Sequence, residues 1–140
     1  MTSYRVTETA KRDFRAILKE TEAYFGSRQR EIYKRLIATG VEMVAAEPGR
    51  GGSWDRGGIL PGLRAFHLEN AAGKRGAAAH TLYYGMERMP DGSPRVVILR
   101  LLHEGMEPRL HLARASVQAP SSQPLEPDGD PPAEDSLKFR

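Results

Sequence analysis

Residues 96–112 read VVILRLLHEGMEPRLHL and open with a run of β-branched and aliphatic residues that is typical of a buried strand. Side chains alternate between the two faces of a strand, so Val97, Leu99 and Leu101 share one face and Arg100 lies on the other. An unpaired guanidinium inside a core is very costly. We therefore expect the apolar face to meet the rest of the fold. Arg100 should lie on the open face and pair with a partner protein or a neighbouring strand.

Two more strands precede this one in the sequence. The segments GLRAFHL (residues 62–68) and AHTLYYGM (residues 79–86) are rich in aromatic and β-branched residues. The intervening stretches carry Gly, Pro, Asn and Asp, which are typical of turns. The pattern predicts three strands in an antiparallel meander.

The first half of the chain predicts a short strand and two helices. The strand is SYRV (residues 3–6), and Thr7 or Thr9 can cap the helix that follows. Its apolar residues recur at helical spacing, namely Ala10, Phe14, Ile17, Leu18 and Phe25. Gly26 suits the end of this helix, Ser27 can cap the next, and Pro48 ends it. The connection is so short that the helices must form an antiparallel hairpin.

These elements predict an α+β fold of order β-α-α-β-β-β, with the helical hairpin packed on a small antiparallel sheet. Residues 1–115 form the domain and hold 19 Lys and Arg against 13 Asp and Glu. Residues 116–140 hold 2 against 5, with five of the ten prolines. This acidic, Pro-rich tail has no apolar periodicity, so we expect it to be disordered and separable from the fold.

Composition excludes several classes of protein. The chain has no cysteine, so it has neither a disulfide framework nor a thiolate metal site. No apolar run approaches the length that spans a bilayer, and the first residues lack the apolar block of a signal peptide. We expect a soluble cytoplasmic protein that does not contact a membrane.

Four histidines offer the chemistry of a general acid or base near neutral pH. They are His67, His80, His103 and His111, with Glu104 and Glu107 nearby in sequence. Three of them lie on or at the end of predicted strands, where an imidazole bonded to the backbone is the simpler interpretation. Their spacing does not resemble that of a metal site. We therefore expect no metal and no cofactor.

A glycine-rich stretch and two basic helix faces are the other candidates for binding. The segment PGRGGSWDRGG (residues 48–58) lacks the Lys-Ser ending of a phosphate-binding loop, and Trp54 in it could anchor a partner or cover the core. Arg12, Arg15 and Lys19 share one helical face, as do three cations of the second helix. Pairing of Glu8 with Arg12 and of Glu31 with Arg35 would weaken a nucleic-acid role but not a docking surface for an acidic protein.

Taken together, these segments resemble the RelE/ParE superfamily of toxins from type II toxin-antitoxin pairs. The similarity is carried by VVILRLLHEGMEPRLHL, by TETAKRDFRAILKETEAYFG (residues 7–26) and by the two middle strands. The long AAGKRGAAA between those strands and the acidic tail depart from the usual pattern. The resemblance implies the fold described above and one of two activities. RelE-type members cleave mRNA on the ribosome, whereas ParE-type members bind DNA gyrase and trap it on cleaved DNA.

The terminal segment favours the ParE branch. RelE-like nucleases place Lys and Arg on the middle strands and an Arg and a Tyr near the end, but EGMEPRLHL (residues 104–112) has no tyrosine and RAFHL (residues 64–68) has no lysine pair. The expectation is a gyrase inhibitor with no catalytic residues, neutralised by a cognate antitoxin and meeting DNA only through it. Residues expected to bind the antitoxin or target are Arg64, Arg100, His103, Arg109 and Trp54.

Two alternatives remain open from the sequence. The first is an mRNA endonuclease of the same fold, ribosome-dependent or free, in which His103, His111 and Arg100 would be catalytic. The second is a degenerate, non-toxic member that serves as a binding module or as a co-repressor with its antitoxin.

Overall fold

The computed structural model describes residues 3–112. In chain order its elements are β1 (Ser3–Val6), α1 (Glu8–Phe25), α2 (Ser27–Ala46), β2 (Ser53–Asp55), β3 (Arg64–His67), α3 (Glu69–Ala72), β4 (His80–Arg88), β5 (Pro94–His103) and α4 (Pro108–Leu112). The predicted α+β class and element order are confirmed, with β2, α3 and α4 added. The tail predicted for residues 116–140 lies outside the described residues.

The five strands form one sheet in the order β1-β5-β4-β3-β2. β2, β3, β4 and β5 pair antiparallel, but β1 runs parallel to β5, from Ser3 opposite Arg95 to Val6 opposite Ile98. The sheet is therefore mixed, not wholly antiparallel as predicted. The two strands of the parallel pair come from opposite ends of the domain sequence. No local sequence pattern therefore specifies the direction in which they pair.

The helical hairpin follows the predicted boundaries closely. Thr7 caps α1, because its hydroxyl oxygen accepts the backbone N–H of Ala10 at 3.1 Å. Gly26 joins the helices with φ of 94°, a conformation that favours glycine. Ser27 was wrongly predicted as a cap, since Gly26 occupies that position and no side-chain cap bond forms. Phe25 is 71% exposed, so the buried stripe ends before the hairpin tip.

Both faces of the sheet are covered, and the predicted faces of β5 are wrong. Val96, Ile98 and Leu101 pack in the core beneath the hairpin, with Phe14 and Leu18 of α1. On the other face a second apolar cluster joins Val97, Leu99 and Leu102 to residues of β3, β4, the 56–62 loop and α4, namely Leu63, Ala65, Tyr83, Ile59, Leu60 and Leu112.

A β-bulge explains why Leu101 does not share a face with Val97 and Leu99 as predicted. In the β4–β5 ladder Tyr83 lies opposite Arg100 while the next residue, Tyr84, lies opposite Ile98, so Leu99 has no partner in the register. One extra residue on a strand shifts every later side chain to the other face. The side predicted to be open is instead covered by a loop and α4.

Candidate functional site

The candidate residues fall into two groups in the structure. Arg100, His103 and His111 come together where β5 ends, beside the middle of α1. Arg64 and Trp54 lie on β3 and β2, at the opposite edge of the sheet from β1. Arg109 lies on α4, in the same helix as His111.

Arg100 is fixed by contacts within the domain. Its Nε and Nη2 donate to the two carboxylate oxygens of Asp13 on α1, at 2.8 and 2.9 Å, and its Nη1 donates to the carbonyl of His111 at 3.1 Å. Both side chains of the ion pair are largely buried, with 18% of Arg100 and 14% of Asp13 exposed. The expected contact with a neighbouring strand is not formed, because the partner within the chain is a helix.

Asp13 takes this position because β1 is too short to cover the edge of β5. Pairing with β1 ends at Ile98, and the next groups on the edge are met by side chains of α1 and its cap. Thr7 Oγ1 donates to the carbonyl of Leu99 at 3.2 Å, and Asp13 Oδ2 accepts the N–H of Leu101 at 3.0 Å. Helix side chains thus satisfy backbone groups that a longer strand would otherwise pair.

A second group of side chains lies next to this ion pair and contains three of the four histidines. Tyr33 of α2 lies 2.7 Å from His80 Nδ1, and its hydroxyl accepts the N–H of Ala79 at 3.3 Å. When the phenolic proton points to His80 Nδ1, that nitrogen is the acceptor, and the other tautomer of His80 reverses the two roles. The ring of His80 meets the ring of His103 edge to face, with centroids 5.4 Å apart.

The other two imidazoles of this group are held in the same way. The N–H of Gly105 donates to His103 Nδ1 at 2.9 Å, and the N–H of Glu69 donates to His67 Nδ1 at 3.1 Å. His67 Nε2 lies 2.7 Å from a carboxylate oxygen of Glu104 and donates its proton to it. In each ring the nitrogen lone pair already accepts a hydrogen bond from a fixed donor.

These contacts set the electrostatics of the cluster. Burial, followed by the neighbouring His103, lowers the pKa of His80 to about 4, so this ring is neutral at physiological pH. Burial also raises the pKa of Tyr33, which keeps the phenol protonated as a donor. The hydrogen bond from His67 lowers the pKa of the exposed Glu104 carboxyl. The group thus contains a neutral His80 and a protonated Tyr33, with the Glu104 carboxylate bound by His67.

Two grooves flank His80. One of about 320 Å³ runs between α1 and the end of β5, and its walls include Ile17, Arg100 and Met106. The other, of about 620 Å³, lies between the hairpin tip and the 75–79 segment, and its walls include Phe25 and Arg75. Both are open clefts that an extended peptide could enter.

The other residues predicted to bind a partner or to be catalytic have fewer contacts with the cluster around His80. Arg64 is half-buried and donates to Ser53 Oγ at 2.7 Å, which ties β3 to β2. Trp54 is 41% exposed on the edge strand β2. Arg109 of α4 is largely exposed, 3.8 Å from Glu107. His111 is half-buried, and its carbonyl is the group that binds Arg100.

Sequence reasoning missed several residues of the cluster. Tyr33 and Asp13 had no signal beyond being a tyrosine and a carboxylate on predicted helices. The contact of His67 with Glu104 joins residues 37 positions apart. A histidine on one strand and a glutamate far along the chain give no local signal that could predict such a pair.

Neither a metal centre nor a membrane-spanning helix is found in the described part of the chain. Within residues 3–112 there is no group of three or more His, Asp or Glu side chains that could hold a metal ion. None of the helices formed by those residues is both long and apolar enough to cross a membrane.

A helical hairpin packed on a small mixed sheet of this strand order is consistent with a RelE/ParE-like fold. Residues 4–108 match the family described as the ParE toxin of type II toxin-antitoxin system, parDE. The chain is also similar to Toxin ParE1 of Caulobacter vibrioides (strain ATCC 19089 / CIP 103742 / CB 15), with 31% identity over 112 residues, which cover 80% of this chain and 99% of that protein. The chain belongs to the ParE toxin family.

Proposed function

We propose that this protein is a toxin that inhibits DNA gyrase by binding it, without catalysing a reaction, and that a cognate antitoxin neutralises it in the cytoplasm. The main support for this proposal is the set of hydrogen bonds that the histidine nitrogens already make within the domain. A general base needs a free lone pair within reach of the proton that it removes. The Nδ1 atoms of His67 and His103 accept hydrogen bonds from backbone N–H groups, and His80 Nδ1 is in hydrogen-bond contact with the Tyr33 hydroxyl.

The candidate cation supports the same proposal. A phosphate-binding arginine presents its guanidinium fork to the ligand. In Arg100 that fork is already bound to Asp13, and the remaining terminal nitrogen is bound to the His111 carbonyl. A binding protein can use such a fixed residue as part of a rigid surface, whereas RNA cleavage would have to use the two N–H groups that these bonds leave over or displace Asp13.

The antitoxin is proposed as a partner that lies along the hairpin and the end of β5. The two grooves beside His80 provide apolar walls, and Tyr24, Phe25, Met106 and Leu110 are exposed large apolar residues near them or at α4. Exposed apolar groups of this kind are typical of protein contacts. DNA would be reached through the antitoxin only.

The test is induction of the full chain in a bacterial host, with DNA topology and mRNA integrity measured in the same cells. The proposal expects gyrase-linked double-strand breaks and an SOS response while transcripts remain intact. With purified protein, supercoiling by gyrase should fall in proportion to the toxin added and recover when the antitoxin is present. Cleaved transcripts with normal supercoiling would contradict gyrase inhibition.

An mRNA endonuclease is the second candidate, and the clustering of three imidazoles with Glu104 beside a groove is the observation that favours it. In that case His103 would release Gly105 when RNA binds and act as the acid or base. Replacing His103 with Gln would then reduce toxicity by about 10² or more, the usual contribution of a general acid or base.

A further inference from the structure

The two grooves that meet at His80, here together called the His80 cleft, differ in charge from the rest of the domain. Residues 1–115 hold 19 Lys and Arg against 13 Asp and Glu, so the domain is basic. The residues that line the cleft have the opposite balance. They include four carboxylates, of Asp13, Glu20, Glu69 and Glu104, and two guanidiniums, of Arg75 and Arg100.

Two of these carboxylates are open to a ligand. Glu20 is exposed and forms no ion pair within residues 3–112. Glu104 binds His67 through one oxygen, and 54% of its side chain is exposed. The hydrogen bond from His67 lowers the pKa of Glu104, so this carboxyl is charged at neutral pH. Both carboxylates therefore present negative charge to the solvent in the cleft.

The other charged groups of the cleft do not reverse its sign. Asp13 and Arg100 neutralise each other at 2.8 Å, and one oxygen of Glu69 accepts the N–H of Gly76 at 2.9 Å. Arg75 is exposed and offsets one of the three remaining carboxylates. Apart from the histidines, four carboxylates against two guanidiniums leave the cleft with a net charge of −2.

The cations of the helical hairpin do not cancel this charge. The carboxylates predicted to pair with Arg12 and Arg35 bind Lys11 and Arg30 instead, so those two predicted pairs are not formed. None of these four cations lines the cleft. The cleft is therefore a local region of negative charge on a basic domain.

The walls of the cleft are apolar and aromatic. Ile17 and Met106 line the smaller groove, and Phe25 and Tyr33 line the larger one. Phe25 is 71% exposed and Met106 39%, so both side chains are available to a ligand. Lys and Arg side chains lay their methylene stems on apolar surface while the charged end stays in water, and aromatic faces attract cations. Such walls beside open carboxylates fit a chain that carries both apolar and basic side chains.

We propose that the His80 cleft binds an extended segment of a partner protein in which Lys or Arg side chains lie next to bulky apolar ones. The cations of this segment bind Glu20 and Glu104, and its apolar side chains pack on Ile17 and Phe25. The same charge disfavours a nucleic-acid backbone, because phosphates would meet more carboxylates than guanidiniums. This inference rests on the proposed placement of the antitoxin in the two grooves, but not on gyrase as the target.

Binding of short synthetic peptides to the full-length chain tests the charge of the occupant. The basic probe is acetyl-Leu-Lys-Leu-Arg-Leu-amide, and in two matched probes Gln or Glu replaces both cations. In NMR titrations the basic peptide should shift the backbone amides of residues 16–21, 75–79 and 102–106. The Gln peptide should bind about threefold to tenfold more weakly, as expected for the loss of two exposed ion pairs, and the Glu peptide more weakly still. High salt should reduce this preference.

Matched double variants locate the contact. Glu20→Gln with Glu104→Gln should reduce the affinity for the basic peptide to that for the Gln peptide. The control, Glu42→Gln with Glu47→Gln at the end of α2, removes two exposed carboxylates outside the cleft and should leave the affinity unchanged. A native amide spectrum confirms that each variant is folded.

Several results would overturn the proposal. They are equal affinity for the three peptides, tighter binding of the Glu peptide, an equal loss in both double variants, and no binding of the basic peptide at millimolar concentration. Binding of oligothymidine that shifts the same amides would assign the cleft to nucleic acid instead. Supercoiling by gyrase is measured without these peptides, so the failure of one proposal is distinguishable from the failure of the other.

Discussion

The carboxylate of Asp13 on α1 binds the guanidinium of Arg100 on β5 through two hydrogen bonds and also accepts the backbone N–H of Leu101. One helical side chain thus neutralises the charge of Arg100. It also accepts a backbone N–H of β5 at a position beyond the end of β1. Arg100 extends the connection to α4 through the His111 carbonyl. These contacts hold α1, β5 and α4 together.

Loss of Asp13 should lower stability in two separable steps. Asp13→Asn can keep an acceptor for the Leu101 N–H but removes the charge that pairs with Arg100, whereas Asp13→Ala removes both. We expect Asp13→Ala to lower the free energy of unfolding by about 1–3 kcal/mol, the range for leaving buried polar groups without a partner, and Asp13→Asn to cost less. Urea denaturation measures both. The exposed Arg109→Ala is the control and should change stability by less than about 0.5 kcal/mol.

Arg100→Ala should also affect folding. The sequence suggested that antitoxin binding would suffer first, but the contacts of Arg100 with Asp13 and His111 lie within the domain. We expect a loss of stability similar to that of Asp13→Ala, and a double variant that costs less than the sum of the two. Additive effects of the two substitutions would show that the pair is not coupled.

Tyr33→Phe tests the hydrogen bond to His80. The substitution removes one oxygen, leaves the Ala79 N–H without this acceptor and withdraws the donor that favours neutral His80. We expect a loss of about 1–2 kcal/mol in stability and a rise in the pKa of His80. NMR titration of the imidazole resonances measures the second effect. An unchanged His80 titration would show that the Tyr33 proton does not point to Nδ1.

His80 should make the domain sensitive to acid. The pKa of His80 in the folded protein is about 4, below the ordinary value of about 6.5, so below pH 6.5 the unfolded chain binds more protons at this position. Stability should be complete above pH 6.5 and fall progressively as the pH drops from 6.5 towards 4. His80→Gln should make that slope shallower in urea denaturation at several pH values. His111→Gln is the matched control, and an equal change in both variants would contradict the assignment to His80.

The histidine variants also test the mechanism of toxicity. If the protein acts by binding, His103→Gln and His111→Gln should each keep toxicity within about tenfold of the wild type, because neither ring serves as an acid or base. Growth arrest after induction from a titratable promoter is the measurement, normalised to the amount of protein. A loss of about 10² or more with His103→Gln, together with a matching loss of RNA cleavage, would favour the endonuclease.

Local features of the sequence were sufficient to predict β1, β3, β4, β5, the two long helices and the family, but not β2, α3 and α4. Helix boundaries follow from Thr7, Gly26 and Pro48, which act within a few residues, and the three long strands follow from composition and turn residues. The resemblance that rested on residues 96–112 and the first helix is confirmed by the match to the ParE toxin family. These properties depend on neighbours in the chain, so the sequence alone determined them.

The tertiary structure decided the arrangement of the candidate site. The bulge at Leu99 depends on the register with β4 and changes which face every later residue of β5 occupies. Asp13 and Arg100 are 87 positions apart, and Tyr33 and His80 are 47 positions apart. The parallel pairing of β1 with β5 places the end of β5 beside α1. The sequence shows which ionisable residues are present, but their hydrogen-bond partners are set by long-range packing. Those partners determine whether an arginine or a histidine is available for chemistry or fixed as part of a surface.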